Sequence, residues 1–110
     1  MEDMNCINLC GRATADPECK ETTNGKSMAK FSVANNRRSG DGVNFFNILC
    51  FGKLADIVYQ YVRKGMLLAI TGRLEANPYV GQDGIKKVNY TIIGEFVRIL
   101  DKVERGNEAV

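Results

Sequence analysis

The chain has no histidine and no tryptophan, and its four cysteines form no Cys-x-x-Cys pair. Without histidine, a serine or cysteine nucleophile lacks its usual base, and the imidazole ligands of catalytic zinc sites are missing. A structural zinc would have to gather Cys6, Cys10, Cys19 and Cys50, whose spacings match no zinc-site pattern. There is no Walker-type phosphate loop and no carboxylate pair suited to acid–base work. No apolar run approaches the ~18 residues of a membrane-spanning helix. The start, MEDMNC, is acidic and has no long apolar segment behind it, unlike a secretory signal. These absences argue against an enzyme, against a metal or organic cofactor, and against a membrane protein. Binding is the class left open.

What is present suits one soluble domain: 110 residues, 45% hydrophobic and 25% charged. The expected division is a single folded domain over residues 1–103 and a frayed polar end over 104–110. Net charge is only +2, but residues 4–94 carry twelve basic against seven acidic side chains, an excess of five. The acids left over stand at the two ends. A mildly basic body suits an anionic partner without identifying one. Cys6, Cys10 and Cys50 lie in apolar β-type runs, where cysteine packs as a small hydrophobe, so free, buried thiols in a reducing cytoplasm are expected.

The segment from Phe45 to Gly65 organises the rest. Phe45–Phe51 is a dense β-type run, apolar everywhere except Asn47. From Lys53 to Lys64 the period changes, with Leu54, Ile57, Val58, Tyr61 and Val62 at helical spacing. Gly52 permits the sharp switch between the two. Gly65 after Arg63-Lys64 predicts a cation-bearing helix end closed by a left-handed glycine.

Before this segment, Asn5–Arg12 reads as a strand with Gly11 at a bend, Asp16-Pro17-Glu18 as a turn, and Cys19–Thr23 as a short extended piece. Asn24-Gly25 is a strong hairpin signal, and Lys26–Asn36 alternates Ala29, Phe31 and Val33 against Lys30 and Ser32. Arg37–Gly42 is a polar loop. After the helix, Met66–Leu74 is a buried-looking strand with Gly72 at a corner. Asn77–Gly84 reads as a hairpin loop carrying Tyr79. Lys86–Ile93 alternates again, and Phe96–Leu100 is a last apolar patch. Five strands, with a helix between the third and fourth, predict a mainly β chain folded as an OB-fold, a partly open Greek-key barrel plugged by its helix.

Strand parity places Phe45, Asn47, Leu49 and Phe51 on one face and Phe46, Ile48 and Cys50 on the other. Only one face can line the barrel. An outward face bearing Phe45 and Phe51 needs a cover, and both nucleic-acid bases and a second subunit serve. Tyr79 is either an exposed loop aromatic or a ring folded over the barrel rim. Arg37 and Arg38 read as a solvated loop, or with Lys30 as part of a basic track. Arg73 either lines the groove or pairs with Glu75. Lys86 and Lys87 point to opposite faces, so one at most tracks a phosphate from the sheet.

Taken together, Gly11-Arg12, Asp16-Pro17-Glu18, Phe51-Gly52-Lys53-Leu54-Ala55, Tyr61, Lys64-Gly65, Gly72-Arg73-Leu74, Tyr79 and Asp83-Gly84 resemble the bacterial single-stranded DNA-binding proteins over residues 4–100. The resemblance implies an OB-fold, assembly as a homotetramer or at least a homodimer, and sequence-tolerant binding of single strands in replication, recombination or repair. It implies a cytoplasmic, nucleoid-associated protein. It also matches Phe45, Phe51 and Tyr79 to base-stacking positions, and Lys53, Arg63 and Lys64 to basic ones. With Lys30, Arg37, Arg38, Arg73 and Lys86 from the residue reading, these form the candidate DNA-binding set.

The chain departs from the family at several points. Phe and Tyr stand where the family often has tryptophan. A further stacking position falls near Ser39, where Arg37 and Arg38 offer guanidinium stacking instead. The sequence stops at Glu108-Ala109-Val110 without the family's acidic tip ending in Pro-Phe, which puts recruitment of replication and repair enzymes through a tail in doubt. Both a shortened chain and a short phage or mobile-element member fit. Two other classes stay open: an OB-fold module that docks protein, and a binder of RNA or oligosaccharide.

Overall fold

A computed structural model describes residues 3–101. Six strands and one helix follow in the order β1 (Ile7–Ala13), β2 (Glu18–Glu21), β3 (Ser27–Asn36), β4 (Val43–Phe51), α1 (Gly52–Tyr61), β5 (Leu67–Val80) and β6 (Lys86–Ile99). They form one sheet ordered β1-β5-β6-β4-β3-β2, and β1 pairs with β3 as well, which closes the barrel. The one parallel contact is between β4 and β6, at Ile48↔Ile92 and Leu49↔Ile93. This is the Greek-key closure of an OB-fold, with the short β2 added on the edge of β3.

Two glycines make the closure possible. β1 pairs with β5 through Ile7–Arg12 and then turns onto β3 at Arg12↔Ala34. At this corner a Cβ on Gly11 would stand 2.8 Å from the Ala34 carbonyl oxygen. Between Thr71 and Gly72 the β5–β6 register shifts by a bulge, and a Cβ on Gly72 would overlap the Ile93 carbonyl. Bulged glycines at barrel corners let one strand bend across two neighbours.

The core is apolar throughout: Ala29, Phe31 and Val33 from β3, Ile48 and Cys50 from β4, Leu68 and Ile70 from β5, and Ile92 from β6. α1 covers one end with Ala55 and Val58. It is shorter than its sequence pattern. The helix stops at Tyr61 because Val62 turns to extended geometry (φ −79°, ψ 134°) and buries its side chain, 1% exposed, in the core. Arg63 and Lys64 are therefore outside the last turn, and left-handed Gly65 shapes the turn into β5 instead of capping the helix. Arg63 still serves the helix end, donating from one guanidinium nitrogen to the carbonyls of Tyr59 (2.9 Å) and Val62 (2.7 Å). Ile57 and Tyr61, expected on the buried stripe, are about half exposed, since a short helix lying across a barrel end buries only one row.

Four further expectations change. The strand β1 begins at Ile7, and the Asn5 amide takes the next rung, accepting from the Leu74 N–H (2.9 Å) and donating to the Leu74 carbonyl (2.8 Å). Cys6, Cys10 and Cys19 are exposed and only Cys50 is buried, because β1 turns Ile7 and Leu9 inward and so puts Cys6 and Cys10 outside. Asn77–Val80 is strand, with the register running unbroken from Leu74↔Ile92 to Val80↔Lys86. Pro78 is accepted there because β5 pairs with β1 no further along than Gly72 and is beyond that point an edge, where a missing N–H costs little. Phe96 is not a separate patch but part of β6.

Of the expected frayed end, 104–110 lies outside the described residues. Asp101, just before it, is anchored, accepting from the Leu67 N–H (2.8 Å) and from Arg12 (3.3 Å).

Candidate nucleic-acid interface

β4 has a core face and an outward face. Phe46, Ile48 and Cys50 face the core, and Phe45, Asn47, Leu49 and Phe51 face away from it. Phe45 is 66% exposed, while Phe51, the last β4 residue and the N-cap of α1, is half-buried. Their neighbours follow from the β3–β4 register: Met28 opposite Phe51, Lys30 opposite Leu49, Ser32 opposite Asn47 and Ala34 opposite Phe45. Residues paired across an antiparallel ladder share a face, so β2 adds Lys20 opposite Met28.

On the other side of β4, Leu49 pairs with Ile93 of β6, and alternation from Ile93 places Thr91, Asn89 and Lys87 on the same outward face. Tyr79 is directly opposite Lys87. Phe45, Phe51 and Tyr79 therefore share one face, although they come from opposite ends of two strands. A shallow depression of about 240 Å³ runs across it between Lys20, Lys30, Asn47, Leu49, Asn89 and Thr91.

Tyr79 is on the paired arm of β5 and not in a loop, 49% exposed. The arm is two-sided. Its other face bears Leu74, Val88 and Tyr90, which with Ile7, Leu9 and Phe46 line an open cleft of about 790 Å³ that reaches round to Phe45 and is bordered by Asn8, Asn35, Asn47 and Asn89. Lys86 is on this second side, opposite Val80, so Lys87 is the lysine that accompanies Tyr79.

The basic candidates divide by what already holds them. Arg73 bridges Glu95 (3.0 Å) and Glu75 (3.4 Å), so its charge is largely compensated. Arg63 is tied to the helix end. Arg37 donates from Nε to the Asn44 side-chain oxygen (3.2 Å), its chain folded over left-handed Gly42. Lys87 makes a loose contact with Asp83 at 3.7 Å. Lys20, Lys30, Arg38, Lys53, Lys64 and Lys86 make no ion pair among the described residues. The backbone N–H of Lys64 donates to Asp16 (2.8 Å), which fixes the turn and leaves the ammonium exposed.

Lys20 and Met28 were not among the sequence candidates, and Lys87 stood there as the alternative to Lys86. Their places follow from the folded register, in which the loops are centred on Asn24 and Asp83 and pair Lys20 with Met28 and Tyr79 with Lys87. Among the described residues no group of three or more histidine, cysteine or acidic side chains is placed to hold a metal ion. Burial pushes the Cys50 thiol up to about 11 and keeps it protonated in the core beneath this face.

A five-stranded Greek-key barrel plugged by a helix between its third and fourth strands is the architecture of OB-fold proteins. The single-strand binding protein family matches residues 4–100, and the chain belongs to that family. It is similar to a protein of Neisseria meningitidis serogroup A (36% identical over 104 residues, covering 88% of this chain and 60% of the relative). It is similar also to proteins of Bacillus cereus (36% over 110 residues, 96% and 65%) and Treponema pallidum (38% over 112 residues, 96% and 63%). All three are named single-stranded DNA-binding protein. The chain spans about 60 to 65% of the length of these relatives.

Proposed function

We propose that this chain binds single-stranded DNA with little sequence preference, protecting exposed strands in replication, recombination or repair. The observation that carries the reading is Phe45, 66% exposed on a strand whose opposite face is core. An aromatic ring contributes little to the barrel in that position and is available to stack on a base, at ~1–3 kcal/mol per base. Phe51 and Tyr79 extend the platform at either end. Lys20, Lys30, Lys87 and Arg38 supply phosphate contacts, and Lys53 and Lys64 extend the track beyond the sheet at the α1 end. Arg73, Arg63 and Lys86 are secondary, two being held by other groups and the third facing the other side of the arm.

The function is binding and not catalysis, in a protein of the cytoplasm and nucleoid. The apolar cleft between β1, Phe46 and the Val88–Tyr90 face of the arm supports a second element of the reading, assembly with further copies of the chain. Exposed together, Leu74, Val88 and Tyr90 form an apolar patch of the kind that another subunit covers. A homotetramer, or at least a homodimer, is the expected state.

Competition among oligo-dT, oligo-rU and duplex DNA of matched length tests the reading, with each affinity measured at several salt concentrations. The expected order is dT first, rU behind it and duplex last. The log–log salt slope for dT should be about −0.7 per phosphate contacted. A salt-independent affinity, or equal affinity for duplex, would overturn it.

A further inference from the structure

Cys6, Cys10 and Cys19 are exposed, although cysteine is among the residues most often buried. Cys6 and Cys10 flank Asn8 on an edge of the sheet that the barrel closure leaves open. The peptide groups of β1 alternate between two sides. Ala13 donates to the Met66 carbonyl and accepts from the Gly65 N–H at the start of β5, whereas the Thr14 N–H donates to Ser32 of β3. The Cys10 carbonyl also turns toward β3, accepting from the Asn35 amide (2.7 Å). Odd residues therefore serve β5, and Cys6, Asn8 and Cys10 present their peptide groups on the far side. Among the described residues no strand pairs with that side before Arg12↔Ala34. The Cys10 carbonyl keeps a second lone pair, and a depression of about 330 Å³ beside Cys10, Asn35 and Asn36 leaves this end of the edge open. Edge strands are commonly blunted by charge, proline or brevity. β2, at the other end of the sheet, has four residues and carries Glu18, Lys20 and Glu21. The stretch Cys6–Gly11 has neither charge nor proline.

A second copy of the same strand satisfies such an edge. Two β1 strands paired antiparallel about Asn8 join all three open positions, with Cys6 facing Cys10 of the partner subunit on each side. A shift of this register one way would need Arg12, already taken by β3, and the other way Met4, beyond the anchored Asn5. The pairing also adjoins the Ile7 and Leu9 sides of two apolar clefts. We propose that Cys6 and Cys10 form a redox-modification site between two copies of this chain, oxidised by peroxide to two symmetry-related disulfides. It rests on the assembly of further copies proposed above, and not on DNA binding. Within one chain the two cysteines are about 13 Å apart along the strand, too far for a bond. Facing residues that exchange hydrogen bonds across an antiparallel ladder have Cα atoms about 5.5 Å apart, inside the ~4.4–6.8 Å of disulfides. Their Cβ atoms, ~4.5–5.5 Å apart, must close by up to about 1 Å, and a strained, exposed disulfide is readily reduced again. One thiolate sulfur attacks a peroxide oxygen, the O–O bond breaks, hydroxide leaves and a sulfenic acid forms. The facing thiolate attacks that sulfur, the S–S bond forms and the S–OH bond breaks, releasing hydroxide that is protonated to water. Each disulfide oxidises two thiols and reduces one peroxide to two waters.

The test treats the reduced chain with hydrogen peroxide at a concentration where light scattering finds it assembled, then uses a non-reducing gel and a tryptic digest. Most of the chain should move to twice its own mass and return to single mass with dithiothreitol. The digest should give the peptide of residues 1–12 linked to a second copy of itself, and that arm needs no variant to fold. Cys6→Ser and Cys10→Ser should each abolish the link, because every bridge needs one cysteine of either kind. Co-expressing the two variants should restore it through the one bridge that a mixed pair retains. Cys19→Ser should leave it unchanged. A link that survives either single variant, that depends on Cys19, or that does not return on co-expression overturns the site. Assembled chains that peroxide leaves unlinked overturn it as well, with the assembly reading intact. Scattering that finds single chains at every concentration removes the assembly reading and this site with it.

Discussion

Phe45 and Phe46 are neighbours in sequence with opposite duties, and replacing each by alanine should separate binding from folding. Phe45 keeps 66% of its surface exposed, so about one third is covered by protein. Full burial of a phenylalanine is worth ~1.5–3 kcal/mol. Phe45→Ala should therefore cost the fold only about 0.5–1 kcal/mol, a lowering of Tm by a few degrees in a domain of this size. The same truncation removes a stacking platform worth ~1–3 kcal/mol, so dT affinity should drop roughly 5- to 150-fold. Phe46 packs against the core and lines the apolar cleft. Phe46→Ala should cost about 2–3 kcal/mol of stability, below the figure for a fully buried ring, and should disturb assembly before binding. Fluorescence anisotropy on labelled dT, with a thermal melt of each variant, reads both quantities. Phe45→Ala with unchanged dT affinity, or with a Tm loss as large as that of Phe46→Ala, would refute the division of the strand into a binding face and a core face.

Gly72→Ala should destabilise the barrel by about 2–3 kcal/mol or prevent folding. Its Cβ meets the Ile93 carbonyl, which is backbone and cannot swing aside; denaturant titration reads the effect. The Cys50 thiol, pushed up to about 11 by burial, binds its proton more tightly in the folded state than in the unfolded one. Its contribution is complete below pH 9 and lost between about pH 9 and 11, up to about 2–3 kcal/mol. Cys50→Ala should remove that part of the alkaline loss, and in the native protein a thiol reagent should label Cys6, Cys10 and Cys19 well before Cys50. Val88→Asp, which places a charge on the apolar side of the arm, should shift light scattering toward smaller species.

The two faces of β4 were legible from strand parity, although its run is apolar on both sides, because one residue out of step would have exposed Ile48 and Cys50. The barrel corners were legible at Gly11 and Gly72, since only a residue without a side chain tolerates that backbone approach. The helix end was not. Whether Val62 continues the helix or turns into the core depends on space between strands that are distant in sequence. Asn77-Pro78 looked like a loop because local chemistry breaks strands, whereas edge pairing with β6 overrides it. The basic residues were the hardest to place. Arg63 and Arg73 have the same charge as Lys30. The pairing of Arg73 with Glu75 was readable from strand parity, but its second partner Glu95 and the carbonyls that hold Arg63 become visible only when the chain is folded. Lys86 and Lys87 differ by one position, and only the register through Tyr79 assigns them to sides.

Photo-crosslinking of a dT oligonucleotide to the protein, followed by peptide mapping, tests the central claim most directly. Adducts should fall on Phe45, Phe51 and Tyr79, the aromatics of the outward β4 face and the matching side of the arm. Adducts confined to Phe96, Tyr59 or Tyr61, which are exposed outside the proposed platform, would contradict it.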